Sequence, residues 1–273
     1  MKLTVLCENT TCCEAVRPEH GLSLLLETGE KRILFDMGQT RAYLENAEAL
    51  GIDLSSVDLA VLSHGHYDHG GGMATFLEVN PSAPIYLHPR AFDPHYHGRE
   101  KYIGLDPALQ GHPRLCVTAD TYRIAPGLTL YSCNQSMYKY PVHNFGLQVL
   151  AGESPETGIL TEDSFLHEQY LLIEENSRRI LVSGCSHKGI LNIMDWFAPD
   201  ILIGGFHFVK WDPQTKIGRA QLEQAAETLL RYPTVYYTGH CTGKEQFAFL
   251  KERMGERLHS ISAGQQLIIP SDN

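Results

Sequence analysis

The chain has 273 residues, enough to bury a sizeable core as one domain, and 43% hydrophobic with 20% charged residues are the proportions of a soluble globular protein. A formal charge of −10 argues against a nucleic-acid groove as the main surface, because binding phosphate backbones relies on clustered Lys and Arg. Seven cysteines, odd in number and irregularly spaced, form no disulfide framework and fit reduced thiols in a cytoplasm; the apolar start is too short for a signal peptide, and no stretch approaches a membrane span.

In chain order, Leu3 to Leu6, Leu22 to Glu27 and Arg32 to Asp36 read as strands, the last two joined by the turn 28–31. The pair Cys12-Cys13 carries no signal beyond a structural or surface role. Asp36 sits where a turn or helix N-cap carboxylate would stand. Tyr43, Leu44, Ala47 and Leu50 recur at helical spacing. The apolar run Asp58 to Leu62 then reads as a buried strand, and it ends in Ser63-His64-Gly65-His66-Tyr67-Asp68-His69-Gly70-Gly71-Gly72. Alternate side chains of a strand share a face, so His64 and His66 can reach one metal ion. Asp68 and His69 follow where the chain must turn, helped by three glycines that tolerate positive φ, and they can hold a second ion. Imidazole with one carboxylate suits zinc, with iron or manganese as the nearest competitors.

Met73 to Val79 reads as a short helix and Ile85 to His88 as a strand. Between Pro89 and Pro113 the composition shifts towards Pro, His, Tyr, Arg and Gly, the mark of an insertion or lid over a site. The weakly patterned Asn134 to Glu162 is a second candidate for a substrate wall, so that 89–162 reads as a lid or insertion. His95 and His97 within it are substrate contacts or exposed loop histidines. Leu115 to Thr118 and Leu128 to Ser132 look like strands of the second half. Tyr170 to Glu174 and Ile180 to Ser183 form a hairpin about Asn176-Ser177-Arg178, and the second strand runs into Gly184-Cys185-Ser186-His187-Lys188-Gly189. Cys185 is a thiolate ligand or a small buried side chain, and His187, two positions on, presents its ring on the same side. After a helix through Ile190, Ile193, Met194 and Phe197, the strand Ile201 to Ile203 leads into Gly204-Gly205-Phe206-His207. Two glycines before a His suggest close approach of backbone to ligand, with His207 as a proton donor or transition-state stabiliser, or as a brace for its loop. Ile217 to Leu230 is an amphipathic helix, Val235 to Thr238 a central strand that delivers Gly239-His240-Cys241-Thr242-Gly243, and a helix through Phe247, Leu250 and Met254 with the strand Leu267 to Ile269 closes the chain.

The ten residues from Ser63 to Gly72 resemble the signature of the metallo-β-lactamase superfamily, whose His-x-His-x-Asp-His supplies ligands to a one- or two-metal site. The resemblance implies an α/β fold, an αββα sandwich of two mixed sheets flanked by helices, with metals at one edge and a single domain over 1–273. It further implies that Asp36 supports the metal loop by orienting a ligand imidazole, and that His240 is the C-terminal metal ligand, completing a shell with Asp68 and His69. In many members a Gly-Asp at the position of Gly184-Cys185 bridges two metals; here that residue is Cys185. A separate third-motif ligand should fall shortly before Tyr170, where Asp163, His167 and Glu168 are the candidates. His20-Gly21-Leu22-Ser23, Gly184 to His187, Gly204 to His207 and His240 to Gly243 narrow the likeness to the subgroup that contains the archaeal dihydropterin-aminobenzene ribofuranosyl phosphate synthase and its bacterial relatives, over most of the chain outside 89–162.

Two chemistries are compatible with this set. In the first, one ion at His64, His66 and His187 and another at Asp68, His69 and His240 activate water against a small ester, lactone or phosphoester, Asp68 doubling as proton acceptor. In the second, which the closer resemblance implies, the metals neutralise a pyrophosphate leaving group while an arylamine attacks a pterin, assisted by His207 or Lys188. Lys188, Arg90, Lys139 and Lys210 are the basic residues nearest the motifs, and each is a phosphate contact or a solvated charge. A non-catalytic ligand sensor is a third reading. The implied partner is a small, anionic molecule, with no nucleic acid and no membrane.

Overall fold

The computed structural model describes residues 1–29, 31–151 and 158–269; residue 30 of the expected turn and residues 152–157 of the expected lid or insertion lie outside the described residues. Two seven-stranded sheets carry the fold. The first runs Gln266–Ile268, Lys2–Cys7, Ser23–Glu27, Arg32–Phe35, Leu59–Val61, Ile85–Leu87, Leu115–Val117. Its pairs are antiparallel as far as Arg32–Phe35 and parallel beyond. The second runs Leu258–Ser260, Val235–Thr238, Ile201–Ile203, Arg178–Val182, Tyr170–Glu175, Leu128–Tyr131, Thr121–Ala125, parallel over its first three pairs and antiparallel over the rest. Each sheet therefore couples a parallel block to an antiparallel block.

Strand periodicity explains how three layers of core arise from short apolar runs. Leu24, Leu26, Ile33 and Phe35 of the first sheet meet Leu171, Ile173, Ile180, Val182, Ile201 and Ile203 of the second in one buried cluster between the sheets. The alternate residues Leu25, Leu34 and Ala60 face outwards and pack with Tyr43, Ala47, Met73 and Phe76 from the helices Ala42–Ala49 and Met73–Val79. On the other side Leu172, Leu181 and Leu202 pack with the helices Ile190–Phe197, Lys216–Leu229 and Lys244–Met254. Both faces of each central strand are buried, which is why these runs read as continuously apolar rather than alternating. Helix, sheet, sheet and helix form the layers expected from the sequence. None of the described helices is long and apolar enough to cross a membrane.

The segment 89–162 carries seven short strands among its described residues. Leu115–Val117 completes the first sheet, not the second as its position in the chain suggested, while Thr121–Ala125 and Leu128–Tyr131 close the edge of the second. Ile159–Glu162, Leu147–Ala151, His95–His97 and Lys101–Tyr102 form a separate four-stranded sheet. These strands are two to five residues long and mostly only partly buried, so their pattern is short and weak. Elsewhere the local signals hold: the Tyr170–Glu175 to Arg178–Val182 hairpin turns through Asn176 and Ser177, both at positive φ, as a two-residue loop requires.

The parallel blocks matter most for function. The strands Arg32–Phe35 and Leu59–Val61 of one sheet, and Arg178–Val182, Ile201–Ile203 and Val235–Thr238 of the other, end beside one another, and ligand sites of α/β sheets lie beyond such carboxyl ends. Tight chain passage holds these ends together. A Cβ on Gly65 would collide with the Ala91 carbonyl oxygen, and one on Gly71 with the carbonyl oxygen of Gln39. Gly71 has a negative φ, so close approach, and not the positive φ read from the sequence, is what this position requires. We expect Gly65→Ala to lower stability by about 1–3 kcal/mol, the usual range for overpacking, measured by urea unfolding; an unchanged midpoint would show that the 88–91 turn yields freely.

Candidate metal centre

His64, His66, His69, His187 and His240 are buried, and their rings converge at the edge where the strand ends meet. Hydrogen bonds on the outer nitrogens fix which ring atoms face inward. Asp36 accepts from Ser63 N–H at 2.7 Å, from the Ser63 hydroxyl at 2.7 Å and from His69 Nδ1–H at 2.7 Å. With its proton given to Asp36, the Ser63 hydroxyl accepts from His64 Nδ1–H at 2.8 Å. His240 Nδ1–H donates to Asn9 Oδ1 at 2.9 Å, and its backbone N–H to Glu8 Oε1 at 2.6 Å. His64, His69 and His240 thus all turn an Nε2 lone pair inward, the arrangement that metal-ligating histidines adopt. His69 Nε2 lies 3.2 Å from His240 Nε2, and His64 Nε2 lies 3.2 Å from His187 Nε2. Bare lone pairs at that distance repel unless a proton or a cation stands between them.

Cys185 joins the two halves. It groups with His64 and His187 on one side and with His69 and His240 on the other, donor atoms within 4.8 Å in each group. Its sulfur is 3.1 Å from His69 Nε2. Asp68 adds a carboxylate to the second group, with Oδ2 3.3 Å from His240 Nε2, 3.7 Å from His69 Nε2 and 3.4 Å from His20 Nε2. The donor set, imidazoles with one thiol and one carboxylate, fits two adjacent divalent ions, His64, His187 and Cys185 holding one and His69, His240, Asp68 and Cys185 the other.

Protonation states agree with that use. Burial pushes His64, His66 and His187 well below the ordinary imidazole range, so all three are neutral and their lone pairs are free. Burial alone would raise Asp68, but the adjacent His69, His20 and His240 outweigh it and hold the carboxyl well below its usual range. Burial raises the Cys185 thiol well above its ordinary value, so deprotonation there depends on a cation, which strips a coordinating thiol of its proton.

His66 takes a separate position. Its ring is 4.6 Å from that of His64 and 4.8 Å from that of His187, yet its donor atom groups with His95, Asp163 and His167. Asp163 and His167, two of the three candidates for a third-motif ligand, therefore come together around His66, while Glu168 does something else. Its carboxylate accepts from the backbone N–H groups of His187 at 2.6 Å and Lys188 at 3.0 Å and from Tyr170 OH at 2.7 Å, which anchors the Cys185 turn.

Several expected substrate contacts are placed otherwise. Lys188 is buried and donates to Ser132 O at 2.5 Å, Asn134 Oδ1 at 2.7 Å and Glu168 O at 3.0 Å; all three ammonium protons are used, and burial lowers its pKa to about 8. It braces the turn and is not free for a phosphate. Arg90 pairs with Asp93 at 2.7 Å and Lys139 with Asp195 at 2.8 Å, both on the surface. His95, read as a loop histidine, is buried. His97 and Lys210 do line the cleft over the metal ligands, together with His20, Tyr67, Lys101 and Ile103. His207 lines this cleft too, its ring 4.3 Å from that of His187, and burial lowers it to about 4, so at neutral pH it is an uncharged imidazole. An adjoining cavity, reached past His187 and His207, is walled by Phe145, Phe208, Trp211 and Tyr140 with Gln221 and Gln224.

Asn9, Glu8 and His20 were not singled out as site residues by sequence reasoning. They come from the loop after Lys2–Cys7, and only the pairing of that strand with its neighbours brings them under His240. Backbone conformation offers a further signal invisible in one-letter code: Asp36, Ser186, His207 and His240 all have positive φ, between 49° and 61°. Left-handed non-glycine residues cost energy and cluster at functional sites.

A family model of the metallo-beta-lactamase superfamily matches residues 16–240. The chain is 30% identical over 274 residues to the 7,8-dihydropterin-6-methyl-4-(beta-D-ribofuranosyl)-aminobenzene-5'-phosphate synthase of Methanocaldococcus jannaschii, covering 90% of this chain and 89% of that one. Among solved structures it is similar to Tm1679, described as a metal-dependent hydrolase of the beta-lactamase superfamily, with TM-score 0.80 and 25% identity over 98% of this chain and 99% of the other. It shares its fold with the Zn(2+)-bound PqqB of Methylobacterium extorquens, with TM-score 0.54 and 13% identity over 98% of this chain and all of the other. The chain belongs to the metallo-β-lactamase superfamily.

Two outcomes follow from this geometry. Asn9→Ala should weaken zinc binding roughly tenfold to a hundredfold, the usual effect of losing a partner behind a ligand, as read by competition with a chromogenic chelator; unchanged affinity would separate Asn9 from the centre. Metal-free protein should lose stability steadily as pH falls from about 6.5 towards 4. His167 titrates at about 3 when folded because of its burial, while the unfolded chain takes up that proton near 6.5, so acid favours unfolding by about 1.4 kcal/mol per pH unit for this one group. Thermal midpoints that stay level across that window would contradict the buried, neutral state.

Proposed function

We propose that this protein is a metal-dependent hydrolase of a small anionic ester, lactone or phosphoester. The observation that carries this reading is that Cys185 belongs at once to both donor groups, so that two ions would sit side by side beneath one open cleft. Divalent ions, zinc being the best match to the donors, supply Lewis acidity and lower the pKa of bound water. The side chains provide the rest. Asp68 stays ionised and is placed to accept a proton from an attacking water, while His20 steadies it. His207, neutral and beside His187, can donate a hydrogen bond to a substrate oxygen on which charge develops. Lys101 and Lys210 on the rim attract an anionic group.

A second reading is condensation of a pterin with an arylamine, releasing pyrophosphate. Two observations support it: the 30% identity to the archaeal synthase over nine-tenths of the chain, and the aromatic cavity that adjoins the centre at His187 and His207, whose ring-lined walls suit a planar heterocycle. The same ions that activate water would neutralise the leaving group.

Purified protein reconstituted with zinc or manganese should turn over chromogenic phosphodiesters or lactones. Pyrophosphate release that requires both a dihydropterin diphosphate and an arylamine would decide for the transferase; metal binding with neither activity would leave only the sensor. If hydrolysis is the reaction, Lys101→Ala and Lys210→Ala should each raise KM for an anionic substrate roughly two- to fivefold with kcat little changed, the contribution of one exposed ion pair. No change in KM for either would move the substrate's charge elsewhere.

A further inference from the structure

The quartet of His66, His95, Asp163 and His167 is buried and not accounted for by the two donor groups that share Cys185. Its donor atoms all lie within 4.8 Å of one another, as they would around a cation. The hydrogen atoms argue against a cation there. Gly65 N–H donates to His167 Nδ1 at 2.8 Å, so a neutral His167 carries its proton on Nε2, which faces Asp163 Oδ2 at 3.3 Å. His95 Nδ1 is 2.8 Å from the same oxygen, and a carboxylate only accepts, so His95 holds its proton on Nδ1. Asp163 Oδ1 takes Phe165 N–H at 2.7 Å. His167 Nε2 thus bears a proton where a metal would need a lone pair, and Asp163 already accepts two hydrogen bonds, from His95 and from Phe165 N–H.

Three nitrogens of the quartet have no hydrogen-bond partner among the described residues: His167 Nε2, which faces Asp163 at 3.3 Å, and His66 Nε2 and His95 Nε2, on rings 5.4 Å apart and nearly perpendicular. The bonds just assigned leave His95 Nε2 a bare lone pair. His66 also lines the cleft, and since its Nε2 is the buried nitrogen, Nδ1 is the one available there. A neutral His66 that offers the Nδ1 lone pair to an ion must carry its proton on Nε2. That proton and the His95 lone pair complete each other.

We propose that His95 and Asp163 are positioning residues for His66: His66 Nε2–H donates to His95 Nε2, and His95 Nδ1–H donates to Asp163, which leaves His66 Nδ1 as a fixed lone pair turned to the cleft. This rests on the metal-centre reading above, with His66 Nδ1 added to the donors of the ion beside His64 and His187. The two nitrogens are not hydrogen-bonded in the present geometry, and fixing Nδ1 on an ion is the event that closes the pair. One assignment of protons is then consistent for Gly65, His167, Asp163, His95 and His66 together. It also gives the small sheet a part in the centre. His95 lies on the strand that carries the cleft residue His97, its carbonyl accepts from Ile103 N–H at 2.8 Å, and Ile103 O accepts from Tyr67 N–H at 2.8 Å, so the wall of the cleft and the ligand loop are tied through backbone as well as side chain.

The test is nitrogen-15 correlation NMR of histidine-labelled, zinc-loaded protein, which reads each ring's tautomer without any substitution. The expected pattern is Nε2–H on His66 and His167 and Nδ1–H on His95, with the His66 ring proton strongly downfield. An Nε2–H tautomer on His95 would overturn the proposal. Beside it, His95→Phe should weaken the binding of one zinc roughly tenfold to a hundredfold, while His95→Gln, whose amide oxygen can still accept from His66, should recover most of the loss. Equal affinities in parent and His95→Phe would overturn it. So would three zinc ions in the parent and two in His95→Phe, which would put a cation inside the quartet. Failure of the parent to bind zinc at all is a different result, since it removes the metal centre itself and this arrangement with it.

Discussion

Inward-facing imidazole lone pairs on His64, His69 and His240, each fixed by one hydrogen bond from behind, are the constraint around which this molecule is built. Neutral histidines in a buried cluster gain nothing from facing one another with bare nitrogens, and the protein spends Asp36, Ser63, Asn9 and Glu8 on keeping them there. The left-handed backbone at Asp36, Ser186, His207 and His240 is a second cost at the same edge of the sheets. Such an arrangement gains stability when something positive completes it. The two sheets serve that end directly, since their parallel blocks bring five strand ends to one place and their apolar cores hold those ends rigid.

Much of this was legible in the sequence because strand ends and metal ligands leave local marks. Leu59–Val61 before the His-x-His-x-Asp-His motif, Arg178–Val182 before Cys185 and Val235–Thr238 before His240 are short apolar runs followed by a chemically loaded turn, and all three runs are strands that deliver those turns to one centre. Where residues act through partners distant in the chain, one sequence carries no mark. Lys188 looked available because it stands beside His187; its burial comes from Ser132 and Asn134, more than fifty positions earlier, and from Glu168. The strand Thr121–Ala125 and the small sheet went unread for a different reason: they are short and their faces are mostly only partly buried, which leaves too few apolar positions for a clear period-two signal.

The fold is what this chain shares with its superfamily, and the segment 89–162 builds walls around the candidate centre. Its small sheet supplies the wall of the cleft through His97, Lys101 and Leu147, while the stretch after Leu128–Tyr131 supplies Tyr140, His143 and Phe145 to the aromatic cavity. Lys101 and Lys210 stand at the cleft, and the cavity is ring-lined. Under the proposed function, the substrate would bring a charged end to the first and a flat end to the second. Loops and appended strands set substrate choice on a common scaffold.

The central claim is that Cys185 sits between two ions as a shared ligand. X-ray absorption at the zinc edge of protein loaded with two zinc ions per chain tests it most directly. The account predicts a sulfur shell at about 2.3 Å, with about one sulfur seen by each zinc and a zinc–zinc vector in the same spectrum, and the loss of the sulfur shell in Cys185→Ser. A spectrum of nitrogen and oxygen neighbours alone in the parent protein would contradict it.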